Sequence, residues 1–386
     1  MTPARFKTWY AWHKWSSLAC TLFMLLLCIT GLPLIFAHEI DHAMGYSVDP
    51  PAELPVPTQA PSVESIVDAA KARRPQDAVQ FLVADPDEPD AWFVRLGARA
   101  DSPISAFYTY DARTGDFVSE YPLNQGFMNV MYRLHVDLFA GLPGTLFLGF
   151  MGLLLVISLV SGAVVYGPYM RKLKFGTVRK HRSPRLKWLD MHNLIGIVTL
   201  AWLLVVSATG VINTLAIPIF GNWQNTELAA MLSKYQDLPP LQERIPVDQA
   251  LAAIRRTEPD MDLSFMAYPG NEFAGPHHYV AFMQGGTPFT SKLLKPILID
   301  AGTGEVTASR ELPLSVSLLL LSQPLHFGDY GGLALKILWA VLDIFAIVVL
   351  ASGLYLWAKK RNVPVEKKIA ALRNGRSSDY EPVKSA

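Results

Sequence analysis

Apolar residues dominate four stretches of the chain, residues 16–37, 144–166, 194–217 and 333–357. Each reaches the roughly 20 residues a helix needs to cross a bilayer. Two longer stretches of mixed composition separate the first run from the second and the third from the fourth. Each opens with apolar positions at helical spacing, over 61–73 and 245–256, the first behind a Ser/Glu capping pattern. Alternation of period two follows, as in Ala91-Trp-Phe-Val-Arg-Leu96 and His278-Tyr-Val-Ala-Phe-Met283, and predicts strands. Both inserts then carry one short signature, Asp111-Ala-Arg-Thr-Gly-Asp116 and Asp300-Ala-Gly-Thr-Gly-Glu305. There Gly supplies a positive φ and Asp bonds the turn backbone, so a tight hairpin is expected at each.

Charge orients this pattern. The net charge is only +1, but its signs are segregated along the chain. Residues 169–188 hold eight Lys or Arg and no acid; Arg5, Lys7 and Lys14 flank the first run, and Lys359-Lys360-Arg361 follow the last. Basic flanks stay inside, so both termini and the short loop are expected in the cytoplasm and both inserts outside. The inserts are acidic, with Asp and Glu outnumbering Lys and Arg by 15 to 7 over 38–133 and by 11 to 7 over 218–325. The first run is too long for a signal-peptide core and lacks a small-x-small cleavage site, so a retained span is expected. The basic loop resembles a nucleic-acid patch only in composition; topology explains it, and no nucleic-acid partner is expected. Cys20 and Cys28, about 12 Å apart along one helix, cannot pair and read as packing residues.

Candidate chemistry comes from a pairwise match between the halves. Trp9-x-x-x-His13 and Trp188-x-x-x-His192 open the first and third spans, and Gly31 and Gly210, in Thr-Gly pairs, lie eighteen residues beyond each His. Leu134-His135 and Leu325-His326 precede the second and fourth spans, with Ser161-Gly162 and Ser352-Gly353 at identical spacing from each His. Such a repeat predicts two halves about a pseudo-two-fold axis, with equivalent residues facing each other. Eighteen residues make about 27 Å of helix, so Gly31 and Gly210 should lie at the depth of His135 and His326. By the same reasoning Gly162 and Gly353 should lie at the depth of His13 and His192. Facing imidazoles in a helix bundle are what a haem iron with two axial histidines needs, and a side-chain-free helix surface leaves room for a flat macrocycle. Two haem b groups are therefore expected, on His13 with His192 and on His135 with His326. Arg5, Lys7, Arg185 and Lys187 inside, and Arg133 outside, are candidate propionate partners.

The remaining polar residues near the spans are weaker candidates. His38 and His42, with Glu39 and Asp41, end the first span without a counterpart in the second half; His38 is an alternative outer ligand. His277-His278 enter a strand, and His181 belongs to the basic loop. Asp343 is an acid deep in an apolar span, suited to proton relay or to bonding a Ser or Thr; Gly152 is its counterpart.

Together the two helix-then-strand inserts ending in Asp-x-x-Thr-Gly-acid and the four spans bearing Trp-x-x-x-His, Thr-Gly, Leu-His and Ser-Gly resemble the PepSY-associated transmembrane proteins. These are also called iron-regulated membrane proteins and include inner-membrane ferric-siderophore reductases. The resemblance covers about 9–358. It implies a bundle of four transmembrane helices with two periplasmic α+β PepSY-like modules. The expected segments are a first span at 9–42, a module at 55–125, a second span at 134–168 and a cytoplasmic loop at 169–188. A third span at 189–217, a second module at 240–315, a fourth span at 325–358 and a cytoplasmic tail at 359–386 complete the chain. The implied activity is one-electron reduction of a periplasmic ferric siderophore by a bacterial inner-membrane protein. No GxGxxG or Walker A pattern occurs, so the electron donor is expected to be quinol or a separate reductase. The alternative is a transport or regulatory membrane protein whose modules bind a ligand or partner.

Overall fold

The computed structural model describes residues 1–51, 61–86, 88–170, 174–179, 183–239, 241–287 and 290–359. The start of the first expected module, His181 with part of the basic loop, and nearly all of the expected tail lie outside the described residues. Eleven α-helices and eight strands are described. The helices are α1 (Pro3–Leu34), α2 (Ala37–Ala43), α3 (Val63–Arg73), α4 (Gly126–Val136), α5 (Leu142–Met170), α6 (Pro184–Asn213), α7 (Ala216–Trp223), α8 (Ala229–Leu232), α9 (Val247–Thr257), α10 (Leu314–Phe327) and α11 (Gly332–Ala358). The strands are β1 (Ala78–Ala84), β2 (Ala91–Gly97), β3 (Ile104–Asp111), β4 (Phe117–Glu120), β5 (Met261–Ala267), β6 (His278–Gly285), β7 (Leu294–Asp300) and β8 (Val306–Ser309).

The chain divides into two compact units. One comprises Met1–Ile35, Met131–Leu215 and the chain from Leu325; the other comprises Phe36–Val130 and Ala216–Pro324. In the first, α1, α5, α6 and α11 are long and apolar enough to cross a membrane. They expose Leu22, Ile29, Phe150, Val198, Leu338 and Ile344, which a lipid environment would cover. Thr2 and Ser183 cap α1 and α6, and Pro at the first helical position suits both starts.

Several of the expected spans are divided. Residues 134–168 are not one helix: α4 ends at Val136, and a tight turn precedes α5. Leu138 and Phe139 adopt positive φ there, 53° and 59°. The Asp137 carboxylate holds that turn by accepting from the Phe139 N–H at 2.8 Å and from Arg133 Nε at 3.0 Å. Residues 325–358 divide likewise, with Gly328 at φ 79° between α10 and α11. His135 and His326 therefore sit on short helices ahead of the spans. Residues 9–42 also divide, into α1 and α2.

In the second unit all eight strands form a single antiparallel sheet, ordered β4-β3-β2-β1-β5-β6-β7-β8. The two modules expected from the sequence thus share one hydrogen-bonded framework, joined where β1 pairs with β5 through Phe81–Ala267, Leu82–Met266 and Val83–Phe265. Alternate side chains feed two cores. Tyr279, Ala281 and Met283 of β6 pack with Ile66 of α3 and Ile254 of α9, while Val280 and Phe282 pack with Trp223 of α7 and Val316 of α10. That is why β6, covered on both sides, is buried over nearly its whole length.

The Asp-x-x-Thr-Gly-acid turns form as their chemistry predicts. Asp111 Oδ1 accepts from the Arg113 N–H at 2.8 Å, and Asp300 Oδ1 accepts from the Gly302 and Thr303 N–H groups at 2.8 Å. Gly115 and Gly304 take φ of 78° and 79°. The Ser62 hydroxyl caps α3 as expected, accepting from the Ser65 N–H at 3.2 Å, but Glu64 turns to the other helix. Glu64 caps α9 by accepting from the Val247 N–H at 2.6 Å, while Asp248 caps α3 by accepting from the Val63 and Glu64 N–H groups at 2.9 Å each. Arg244 completes the exchange at 2.6 Å from Glu64.

Candidate functional site

The four long helices contact one another in a closed ring, α1 to α5, α5 to α6, α6 to α11 and α11 to α1. His13 and His192 occupy the diagonal members α1 and α6, and their ring centroids lie 6.4 Å apart at 58°. His135 and His326, ahead of the other diagonal pair, lie 6.2 Å apart at 63°. Both expected pairs are juxtaposed.

Each glycine lies against an imidazole. A Cβ on Gly162 would come 2.9 Å from His13 Cε1, and on Gly353 3.3 Å from His192 Cε1. A Cβ on Gly31 would lie 3.0 Å from His135 Cε1, and on Gly210 2.9 Å from His326 Cε1. These glycines make room first for the facing histidine, a narrower role than the macrocycle clearance expected from the sequence.

The vacated surface also exposes a carbonyl. His13 Nδ1 lies 2.9 Å from the Ser158 carbonyl, His192 Nδ1 3.0 Å from that of Val349, and His326 Nδ1 2.8 Å from that of Val206. His135 bonds the Leu27 backbone. Each acceptor stands four residues before its glycine. In a helix it already takes the glycine's own N–H, and its second lone pair is reachable because no Cβ covers it. Hydroxyls reinforce the contact: Thr30, Thr209 and Ser352 lie 3.1, 3.4 and 3.0 Å from the Nδ1 atoms of His135, His326 and His192. At the fourth site the hydroxyl is that of Ser158, 3.3 Å from His13 Nδ1.

This geometry fixes the chemistry of the rings. A carbonyl oxygen only accepts, so Nδ1 carries the proton and Nε2 keeps its lone pair. That is the arrangement of a metal-ligating histidine with its second nitrogen anchored. With metal–nitrogen bonds of about 2 Å, two axial imidazoles on one iron would have centroids about 6 Å apart, and both pairs meet that requirement. The donor set therefore fits two haems. Arg185 adds a further point of fit, since its Nε is buried without a hydrogen-bond partner among the described residues, two turns before His192 on α6. Arg5, Lys7 and Lys187 are exposed, and Arg133 is engaged by Asp137.

A family described as PepSY-associated TM region matches residues 10–360. The chain belongs to that family. A Pseudomonas aeruginosa protein described as uncharacterized is 27% identical over 267 residues, 64% of this chain and 67% of the relative.

Other candidates in this PepSY-associated protein have different surroundings. His38 belongs to the second unit, where its Nδ1 lies 3.7 Å from Glu88. His278 is buried with neither ring nitrogen partnered among the described residues, its ring edge-on to Tyr235 at 4.4 Å, and burial lowers its pKa. Asp343 bonds Cys28 of α1, a thiol in place of the expected hydroxyl, and Cys20 packs as expected. The sequence reading missed Asp190, which Arg179 of the basic loop pairs at 2.7 Å. It also missed the carbonyl acceptors, whose signal was the hydroxyl residue before each glycine.

Proposed function

We propose that this PepSY-associated protein is an inner-membrane dihaem oxidoreductase that delivers single electrons to a ferric siderophore on the periplasmic side. The doubled imidazole pair, each ring anchored through Nδ1, carries this reading. One haem b would be held by His13 and His192 and the other by His135 and His326, with Gly162, Gly353, Gly31 and Gly210 behind the rings and Arg185 available to a propionate. Bound there, each haem iron supplies a one-electron couple without changing its ligands. The Ser158, Val349, Val206 and Leu27 carbonyls hold the tautomer and ring rotation, and keep Nε2 basic. The apolar walls of the helix ring keep bulk water from the imidazoles. Two halves related by an internal repeat would place one such site near each membrane face.

The substrate reading rests on the family resemblance and on soluble inserts assigned to the outer side by charge. Each electron reduces one Fe(III) to Fe(II), which hard oxygen chelators hold less firmly, so the chelator leaves intact. Quinol or a separate reductase supplies the electron. Among reductases of this kind, we propose a ferrioxamine reductase as the member this chain resembles.

The experiment mixes chemically reduced protein with ferric siderophores and follows haem reoxidation, while a ferrous chelator traps Fe(II). Reoxidation with stoichiometric trapping is expected for at least one siderophore. Haems that stay reduced with every one, yet oxidise readily with an unrelated acceptor, would move the function to another electron-transfer reaction.

A further inference from the structure

We propose that α2 and the two loops beside it form a site for a divalent first-row transition-metal ion, ligated by His38, His42, Asp49 and Glu88. The His-x-x-x-His spacing places both imidazoles on one face of α2, and their centroids lie 6.4 Å apart. Two further segments bring carboxylates to that face. Asp49 Oδ2 lies 3.1 Å from His42 Nε2, and Glu88 Oε1, from the β1–β2 connection, lies 3.7 Å from His38 Nδ1. Ligand atoms of His38, Asp49 and Glu88 all fall within 4.8 Å of one another. Around an ion with bonds of about 2.0–2.2 Å, neighbouring donors stand about 3 Å apart, so the exposed His38, His42 and Asp49 side chains and the half-buried Glu88 side chain must rotate inward to close the site.

The platform beneath them is built. Asp41, flanking that face of α2, is buried and accepts from the Tyr121 hydroxyl at 2.8 Å. Its backbone carbonyl accepts from the Tyr46 N–H at 2.8 Å, turning the chain toward Asp49. Two imidazoles with two carboxylates suit Zn(II), Fe(II) or Mn(II) and not the hard, oxygen-seeking Ca(II). The site stands on this geometry alone. Its role as receiver of newly formed Fe(II) rests on the reductase reading.

Full-length protein in detergent would be equilibrated by dialysis with Zn(II), with Fe(II) under anaerobic conditions and with Ca(II), and the bound metal counted per chain. One Zn(II) or Fe(II) per chain beyond haem iron is expected, with no Ca(II). Asp49→Asn and Glu88→Gln should each weaken binding about 10- to 100-fold, and the His38→Ala/His42→Ala double variant should abolish it. Far-UV circular dichroism and haem content, unchanged in these surface variants, show that the fold survives. No bound Zn(II) or Fe(II), or unchanged affinity in the double variant, overturns the site. Zn(II) binding in a protein that reduces no ferric siderophore would keep the site and remove its role as an iron receiver.

Discussion

Replacing Gly162 by Ala tests how the imidazoles are held. The new Cβ would come 2.9 Å from His13 Cε1 and 3.0 Å from Nδ1, while ordinary contact begins at 3.4 Å. The ring must therefore retreat by about 0.5 Å, stretching the 2.9 Å bond to the Ser158 carbonyl to about 3.4 Å, outside the usual N–H···O range and much weakened. Such a bond contributes about 0.5–1.5 kcal/mol, and support of a metal-bound histidine typically changes affinity about 10- to 100-fold. Gly353→Ala is the matched control at the same pair. Its Cβ would lie 3.3 Å from His192 Cε1, so a shift of about 0.1 Å relieves it. Helix propensity works the other way, since Ala in place of Gly favours a helix interior by about 0.8–1.0 kcal/mol. Titrating apo-protein with haemin and following the low-spin Soret band should show the proposed His13–His192 site weakened about tenfold or more in Gly162→Ala. Gly353→Ala should be affected by about twofold at most. Equal loss in both variants, or none in either, would refute the carbonyl-anchoring argument.

Removing Asp248 leaves two N–H groups of α3 uncapped, so Asp248→Ala should destabilise that helix by about 1–2 kcal/mol; unchanged amide exchange over α3 would contradict this. Asp137→Ala frees the turn after α4 and should weaken the haem site of His135 while sparing that of His13. Loss at both sites to the same degree would point to general misfolding. Burial, and then the Asp41 carboxylate, push the Tyr121 hydroxyl from 10.0 up to about 12. Its folded-state pKa is raised, so its contribution is full below pH about 10 and lost between about 10 and 12; a Tyr121→Phe difference titration showing ionisation near 10 would oppose that reading. Reporter fusions at Thr114 and Thr303 should both report the periplasm, and a cytoplasmic result at either would overturn the topology.

The long elements were legible because their signals are long. Four apolar runs predicted α1, α5, α6 and α11, and Gly115 and Gly304 marked turns that form as expected. The juxtaposition of His13 with His192 and of His135 with His326 followed from spacing alone. The break after α4 did not, because Leu138 and Phe139, in a left-handed turn, are residues that propensity places in a helix or strand. The merging of both inserts into one sheet depends on β1 meeting β5 across a sequence separation no local pattern encodes. Backbone acceptors are invisible as residue types: Ser158, Leu27, Val206 and Val349 are marked only by a glycine four positions later and the hydroxyl residue before that glycine. Likewise, Glu64 belonged to a capping pattern for its own helix, and only the packing of α3 against α9 turns it to the Val247 N–H.

The central claim is that the helix ring holds two haems on paired histidines. Its most direct measurement is the haem content and low-temperature electron paramagnetic resonance spectrum of purified wild-type protein, beside His13→Ala, His192→Ala, His135→Ala and His326→Ala. Two low-spin haems per chain are expected in the wild type. His13→Ala and His192→Ala should each remove one signal, and His135→Ala and His326→Ala the other. A colourless wild-type protein from haem-replete cells, or two low-spin signals retained in all four variants, would contradict it.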